Sequence, residues 1–137
     1  MAKKAAVMIY PQFSMQEISC LTDALKVYFD IEIDVFASKK EIICSEDSFQ
    51  VIPHKTFNEF RPEDYLCLIL PGIYNPLPAL FDEENIRFLR MLKGSDLPIC
   101  SISCSPILLA KAGLLDNVHY TSGMWQEMAE YLPFVPH

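Results

Sequence analysis

The stretch Pro98-Ile99-Cys100-Ser101-Ile102-Ser103-Cys104-Ser105-Pro106-Ile107-Leu108-Leu109-Ala110-Lys111-Ala112-Gly113-Leu114-Leu115 decides how this chain is read. Ile99 to Ile102 reads as a central buried strand. Ser105-Pro106 has the residues that open a helix, and Gly113 is the residue that closes one. A strand that turns straight into a helix leaves one residue at a sharp corner, where enzymes often place a nucleophile. The corner needs small residues two before and two after its tip, because those positions meet neighbouring backbone. With Ser103 at the tip the flanks are Ser101 and Ser105; with Cys104 they are Ile102 and Pro106, both bulky. The tip is therefore predicted at Ser103, one place before the thiol. The same three serines also suit a tight turn that merely packs and caps a helix, and the residues alone leave that reading open.

Outward from this corner, strand and helix signals alternate. Lys4 to Tyr10 is a short apolar run closed by Pro11, a buried strand. Met15 to Phe29 places Ile18, Leu21, Leu25 and Tyr28 on one helical face, with Ser14 as a cap. Ile31 to Ala37 alternates apolar with acidic residues and predicts a half-buried strand near an edge. Glu41 to Cys44 and Phe49 to Ile52 flank Ser-Glu-Asp-Ser and predict a small hairpin. Tyr65 to Leu70 is continuously apolar and ends at Pro71-Gly72, the profile of a central parallel strand. Asp82 to Lys93 carries Ile86 and Leu89 behind an acidic first turn, a helix with a favourable dipole. A short strand at His119 to Thr121 and a helix from Gly123 to Tyr131 complete the reading. This order predicts an α/β fold: a flavodoxin-like open, mostly parallel sheet with helices on both faces and a small β-hairpin. Ligands of such sheets sit beyond the carboxyl ends of the strands. Three segments project there: Pro11 to Glu17, Pro71 to Asn75 and Ser103 to Ser105.

Composition narrows the function classes. The chain has 137 residues, 51% of them hydrophobic, enough for one domain with a core of its own. A formal net charge of −7 argues against nucleic acid or an anionic membrane as partner. No apolar run approaches the roughly 20 residues of a membrane-spanning helix, and Ala5 to Tyr10 is too short for a secretory signal. Five cysteines (Cys20, Cys44, Cys67, Cys100 and Cys104) without a C-x-x-C pair read as reduced thiols of a cytoplasmic protein. The three histidines stand far from the cysteines and share no ligand spacing, so no metal is expected. Nor is a cofactor.

The chain resembles the ThiJ/PfpI superfamily, whose fold is like that of class I glutamine amidotransferases. The resemblance extends over nearly the whole chain and is most specific at the corner, which in the family runs roughly P-I-A-A-I-C-x-G-P, then L-L-A-x-A-G-L-L-x-G. Ile102 matches the Ile, Pro106 the Pro, and Leu108 to Leu115 the helix and its stop. The family's nucleophilic Cys falls on Ser103, and its small residue before the Pro falls on Ser105. The resemblance also implies a carboxylate beside the nucleophile, which Glu17 supplies. It implies an oxyanion-hole amide after the strand that ends in P-G-G, here Pro71-Gly72-Ile73. A His often follows a T-T or T-S pair in the family; here Thr121-Ser122 is followed by Gly123.

The departures concern one site. A serine hydroxyl needs a dedicated general base, whereas a Cys works because its pKa can be brought near neutrality. His54, His119 and His137 are weak candidates for that base. The expectation is therefore a degenerate member of the superfamily: a small-molecule-binding or regulatory domain without the standard Cys-dependent chemistry. Its site residues would be Ser103, Glu17 and Cys104, with Gly72, Ile73 and Ser105 around the ligand. The alternative is an enzyme that uses Cys104 as a displaced nucleophile or redox thiol: a hydrolase, an amidase or a glyoxalase-like activity. A third reading is a sensor domain separated from a DNA-binding partner, since the fold occurs in some regulators. Members of the superfamily continue for several tens of residues beyond this chain's last segment, Tyr131 to His137. The expectation is one domain over residues 1–137 without the usual C-terminal elements, in a truncated chain or in a homodimer that covers the exposed face.

Overall fold

In chain order the elements are β1 (Lys4–Met8), α1 (Met15–Val27), β2 (Ile33–Ala37), β3 (Ile43–Cys44), β4 (Gln50–Val51), β5 (Lys55–Thr56), β6 (Tyr65–Leu70), α2 (Leu77–Phe81), α3 (Glu83–Met91), β7 (Ile99–Ser101) and α4 (Pro106–Lys111). Single 3-10 turns at Phe57–Glu59 and Pro62–Asp64 lead into β6. This computed structural model describes residues 3–124, 130 and 132–134. Five strands form one parallel sheet in the order β5-β2-β1-β6-β7, and β3 and β4 form a separate antiparallel hairpin. The fold is the flavodoxin-like α/β architecture that the alternation of signals predicts.

β1 sits at the centre because Ala5 to Met8 are apolar throughout and wholly buried, as a strand covered on both faces requires. Its register pairs Ala5 with Ile33 and Cys67, and Val7 with Val35 and Ile69. Side chains alternate across a sheet, so Phe36, Leu68 and Leu70 lie on the other face, where all three are fully buried. That face holds an aromatic cluster. Phe57 stacks on Phe88 of α3, and Phe60 bridges Phe36, Tyr65 and Phe88. The opposite face is covered less, with Cys67 half-buried and Cys100 exposed. β1 connects to β2 on one side, whereas β6 and β7 lie on the other. The crevice beside β1 is thus the switch point at which ligands of such sheets bind.

The amino ends of the strands are held by a polar cluster. Asp34, 7% exposed, accepts hydrogen bonds from Lys55 Nζ (2.8 Å), the Tyr65 hydroxyl (2.8 Å) and Lys4 Nζ (3.2 Å). These groups come from β2, β5, β6 and β1, so one carboxylate ties four strands together.

Several elements differ from the sequence reading. α1 ends at Val27, and of its expected apolar face only Ile18 is buried; Leu21 and Tyr28 are exposed. Periodicity marks a face able to pack, but not one that finds a partner. β5 is two residues long, and its strand character comes from its pairing with Phe36 and Ala37 rather than from its own pattern. α2 lies where the sequence reading assigns no element; its prolines, Pro76 and Pro78, fall at the helix start, where proline is tolerated. The strand expected at His119 to Thr121 is irregular chain. None of its residues pairs with β7, which is the edge of the described sheet. The helix expected from Gly123 to Tyr131 falls largely outside the described residues; Gly123 and Met124 themselves are irregular.

Candidate functional site

The corner after β7 is a left-handed turn. Ser103 has φ +58°, a conformation that costs a non-glycine residue roughly 1–2 kcal/mol. It is held there by bonds on both sides. Ile102 N–H reaches Leu70 O at 3.1 Å, the last rung of the β6–β7 ladder, and Ser105 N–H closes the turn onto Ile102 O at 3.1 Å. Gly123 N–H then binds Ser103 O at 2.9 Å, laying the 118–124 segment across the corner.

The flanking serines make the turn compact. Ser105 is fully buried, and its hydroxyl lies within 2.7 Å of Ser101 Oγ, 2.8 Å of Ile102 N–H and 3.1 Å of Leu70 O. It precedes α4 as the sequence suggests, but its side chain makes no cap bond to the helix. The hydroxyl is taken up by the backbone beneath the corner instead. Gly113 closes α4 as expected, at φ +77° with its N–H on Ala110 O.

Gly72 sits between Glu17 and Ser103. A Cβ there would lie 2.1 Å from Glu17 Oε2 and 2.9 Å from Ser103 Cβ, so only glycine lets the three approach. Its N–H donates to Glu17 Oε2 at 2.7 Å. The structure thus brings together Glu17, Gly72 and Ser103, which the sequence places 86 residues apart at the extremes. Both Glu17 and Ser103 are exposed to solvent.

Cys104 is engaged by the neighbouring loop. It is 7% exposed, and its sulfur meets both backbone groups of Ile73, accepting from N–H at 3.3 Å and donating to O at 3.0 Å. Burial pushes its thiol pKa up. The Ile73 and Cys104 amides pull it down, Glu17 and Glu46 push it up again, and the net shift is upward. Beneath the corner the buried Tyr10 hydroxyl donates to Pro71 O, and its pKa is raised by burial and by Cys104 and Glu17.

A cavity of about 360 Å³ opens in front of these groups, lined by Glu17, Ser103, Cys104 and Ile73 together with Ser14, Glu46, Tyr74, Met124 and their neighbours. Gly72 and Ser105 lie behind this wall. Glu46 is a lining residue that sequence reasoning missed. It comes from the turn of the β3–β4 hairpin, where an acidic residue reads as solvated surface. The hairpin is fastened to the loop after β1, with Gln12 N–H on Cys44 O, Glu46 N–H on Phe13 O and Ser14 Oγ on Glu46 Oε1 at 2.8 Å. His54 is structural: its Nδ1 accepts Val35 N–H at 3.0 Å beside β2. Among the described residues no cluster of His, Cys, Asp and Glu is arranged to hold a metal ion, and no helix is long and apolar enough to cross a membrane.

A parallel sheet with a left-handed strand-to-helix corner at its switch point defines a class of α/β proteins, and comparison with known proteins gives the family. The DJ-1/PfpI family model matches residues 3–132, so this chain belongs to the DJ-1/PfpI family, as the resemblance to the ThiJ/PfpI superfamily implies. A deglycase, PfpI, from Pyrococcus furiosus is 26% identical over 91 residues, 66% of this chain and 55% of that protein. An isonitrile hydratase from Pseudomonas putida is 23% identical over 122 residues, 89% of this chain and 53% of that protein. The chain therefore spans about half the length of these curated relatives. A DJ-1 superfamily protein from Agrobacterium tumefaciens superposes with a TM-score of 0.82 at 18% identity, over 98% of this chain and 70% of that one.

Proposed function

We propose that this chain is a small-molecule-binding or regulatory member of its family that has set aside Cys-dependent catalysis while keeping the pocket. The observation that carries this reading is the disposition of Ser103 and Cys104. The corner tip offers a hydroxyl, and the adjacent thiol is buried against both backbone groups of Ile73.

Three consequences support it. A serine at the tip needs a base, and among the described lining residues no histidine is present. The Ile73 amide, which would donate to a developing oxyanion, is occupied by Cys104 sulfur. Finally, the thiol pKa is shifted away from the reactive range. These points weigh against Cys104 as a displaced nucleophile, because attack would require its sulfur to give up both backbone groups of Ile73.

The test is turnover. Methylglyoxal, a methylglyoxal-modified amino acid and an alkyl isonitrile represent the chemistries that the relatives' names indicate and the glyoxalase-like alternative. The wild type and Cys104→Ser should both consume each at the uncatalysed rate. Turnover in the wild type that Cys104→Ser abolishes would overturn the reading in favour of the Cys104 enzyme.

A further inference from the structure

The cavity in front of Ser103 has an uneven chemistry. Its described lining includes two glutamates, Glu17 and Glu46, and no lysine, arginine or histidine. The two carboxylates come from different elements, α1 and the hairpin turn, and each spends one oxygen on the protein. Glu17 Oε2 accepts from Gly72 N–H, and Glu46 Oε1 from Ser14 Oγ. Among the described residues, Glu17 Oε1 and Glu46 Oε2 accept no hydrogen bond. The rest of the wall mixes neutral polar groups, Ser14, Asn75 and Ser103, with an apolar side formed by Ile73, Pro76 and Met124 and the exposed ring of Tyr74.

From this we infer that the cavity takes a small organic cation, a primary ammonium on an apolar body, and that Glu46 is a specificity-determining residue. The inference rests on the small-molecule-binding reading above, since the corner and cavity, rather than the carboxylates, give the ligand its place. An ammonium group has three donors and no acceptor, which suits two free carboxylate oxygens. Its apolar body would contact Ile73 and Met124, and a cation near the rim gains from the Tyr74 ring. An anion would enter a field of one sign with no cationic side chain in the described lining to meet it. That field already acts on the protein, since Glu17 and Glu46 both help raise the Cys104 thiol pKa. Both glutamates are exposed, so the discrimination expected is modest.

Three isosteric probes separate the terms: benzylamine, benzyl alcohol and benzoate, titrated into 15N-labelled protein at pH 7 while the Gly72, Ile73 and Gly123 amides are followed. Benzylamine should bind at least fivefold more tightly than benzyl alcohol, and benzoate should cause no shift. Glu46→Gln should weaken benzylamine by about threefold to fivefold and leave benzyl alcohol unchanged. If benzyl alcohol binds as well as benzylamine, or benzoate binds better, the cation inference fails and the binding reading stands. If none of the three moves these amides, both fail. An unaltered benzylamine affinity in Glu46→Gln, in a variant whose spectrum is otherwise native, removes Glu46 from the role.

Discussion

The two ends of the parallel sheet each gather carboxylates, and they treat them in opposite ways. At the amino ends Asp34 is buried and surrounded by donors from β1, β5 and β6. At the carboxyl ends Glu17 and Glu46 are exposed, each with one oxygen free and no cation in the described cavity lining. Burial alone would push the Asp34 carboxyl up, but the hydrogen bonds from Lys55, Tyr65 and Lys4 outweigh it and set its pKa at about 2. The Tyr65 hydroxyl is pushed up to about 12 by burial and by its bond to Asp34. One end is an internally satisfied clamp that fixes strand order. The other leaves one oxygen of each glutamate open to solvent.

The comparison breaks first at Asp34. Asp34→Ala removes the acceptor shared by two lysines and a tyrosine, and should cost about 3 kcal/mol of unfolding free energy in urea. Glu46→Ala, which removes an exposed carboxylate, should change it by less than about 0.5 kcal/mol. Equal losses would mean that the two ends do not differ in kind.

Acid sharpens the same contrast. The folded pKa of Asp34 lies below its unfolded value, so its contribution is present above about pH 4 and is lost as pH falls toward 2. Stability measured between pH 5 and pH 2 should fall by roughly 2 kcal/mol more in the wild type than in Asp34→Asn.

Gly72→Ala comes next. The added methyl would press on Glu17 Oε2 and Ser103 Cβ, and should destabilise by about 2 kcal/mol. Glu17 can swing into solvent but Ser103 Cβ cannot, so Glu17→Ala in the same chain should recover less than half of the loss. Full recovery would show that Ser103 does not stand against Gly72.

Much of the fold was legible because its signals are local. The apolar runs of β1 and β6, the hairpin around Ser-Glu-Asp-Ser and the Gly113 stop each follow from a few adjacent residues, whereas β7, which reads as a central buried strand, is the edge of the described sheet with Cys100 exposed. The corner was legible too, because the sizes of Ser101 and Ser105 distinguish two neighbouring tips. What could not be read depends on partners far along the chain. β5 exists because β2 offers an edge, and α1 leaves Leu21 exposed because nothing described packs there. Glu46 lines the cavity because the hairpin folds back on Phe13 and Ser14. The engagement of Cys104 with Ile73 spans 31 residues and has no spacing that would announce it. The expected strand at His119 failed for the complementary reason: its local pattern suits a strand, but no described neighbour pairs with it.

The central claim, that the corner presents position 103 while turning Cys104 inward, is tested most directly by comparing two adjacent thiols in one molecule. In Ser103→Cys, iodoacetamide at pH 7 followed by peptide mapping reports the alkylation rate at each position. The introduced thiol occupies an exposed site at the turn, whereas Cys104 is 7% exposed and its pKa is raised. The thiol introduced by Ser103→Cys should therefore react at least tenfold faster than Cys104, and Cys104 should be equally slow in the wild type. Faster modification of Cys104 in either protein would contradict the account.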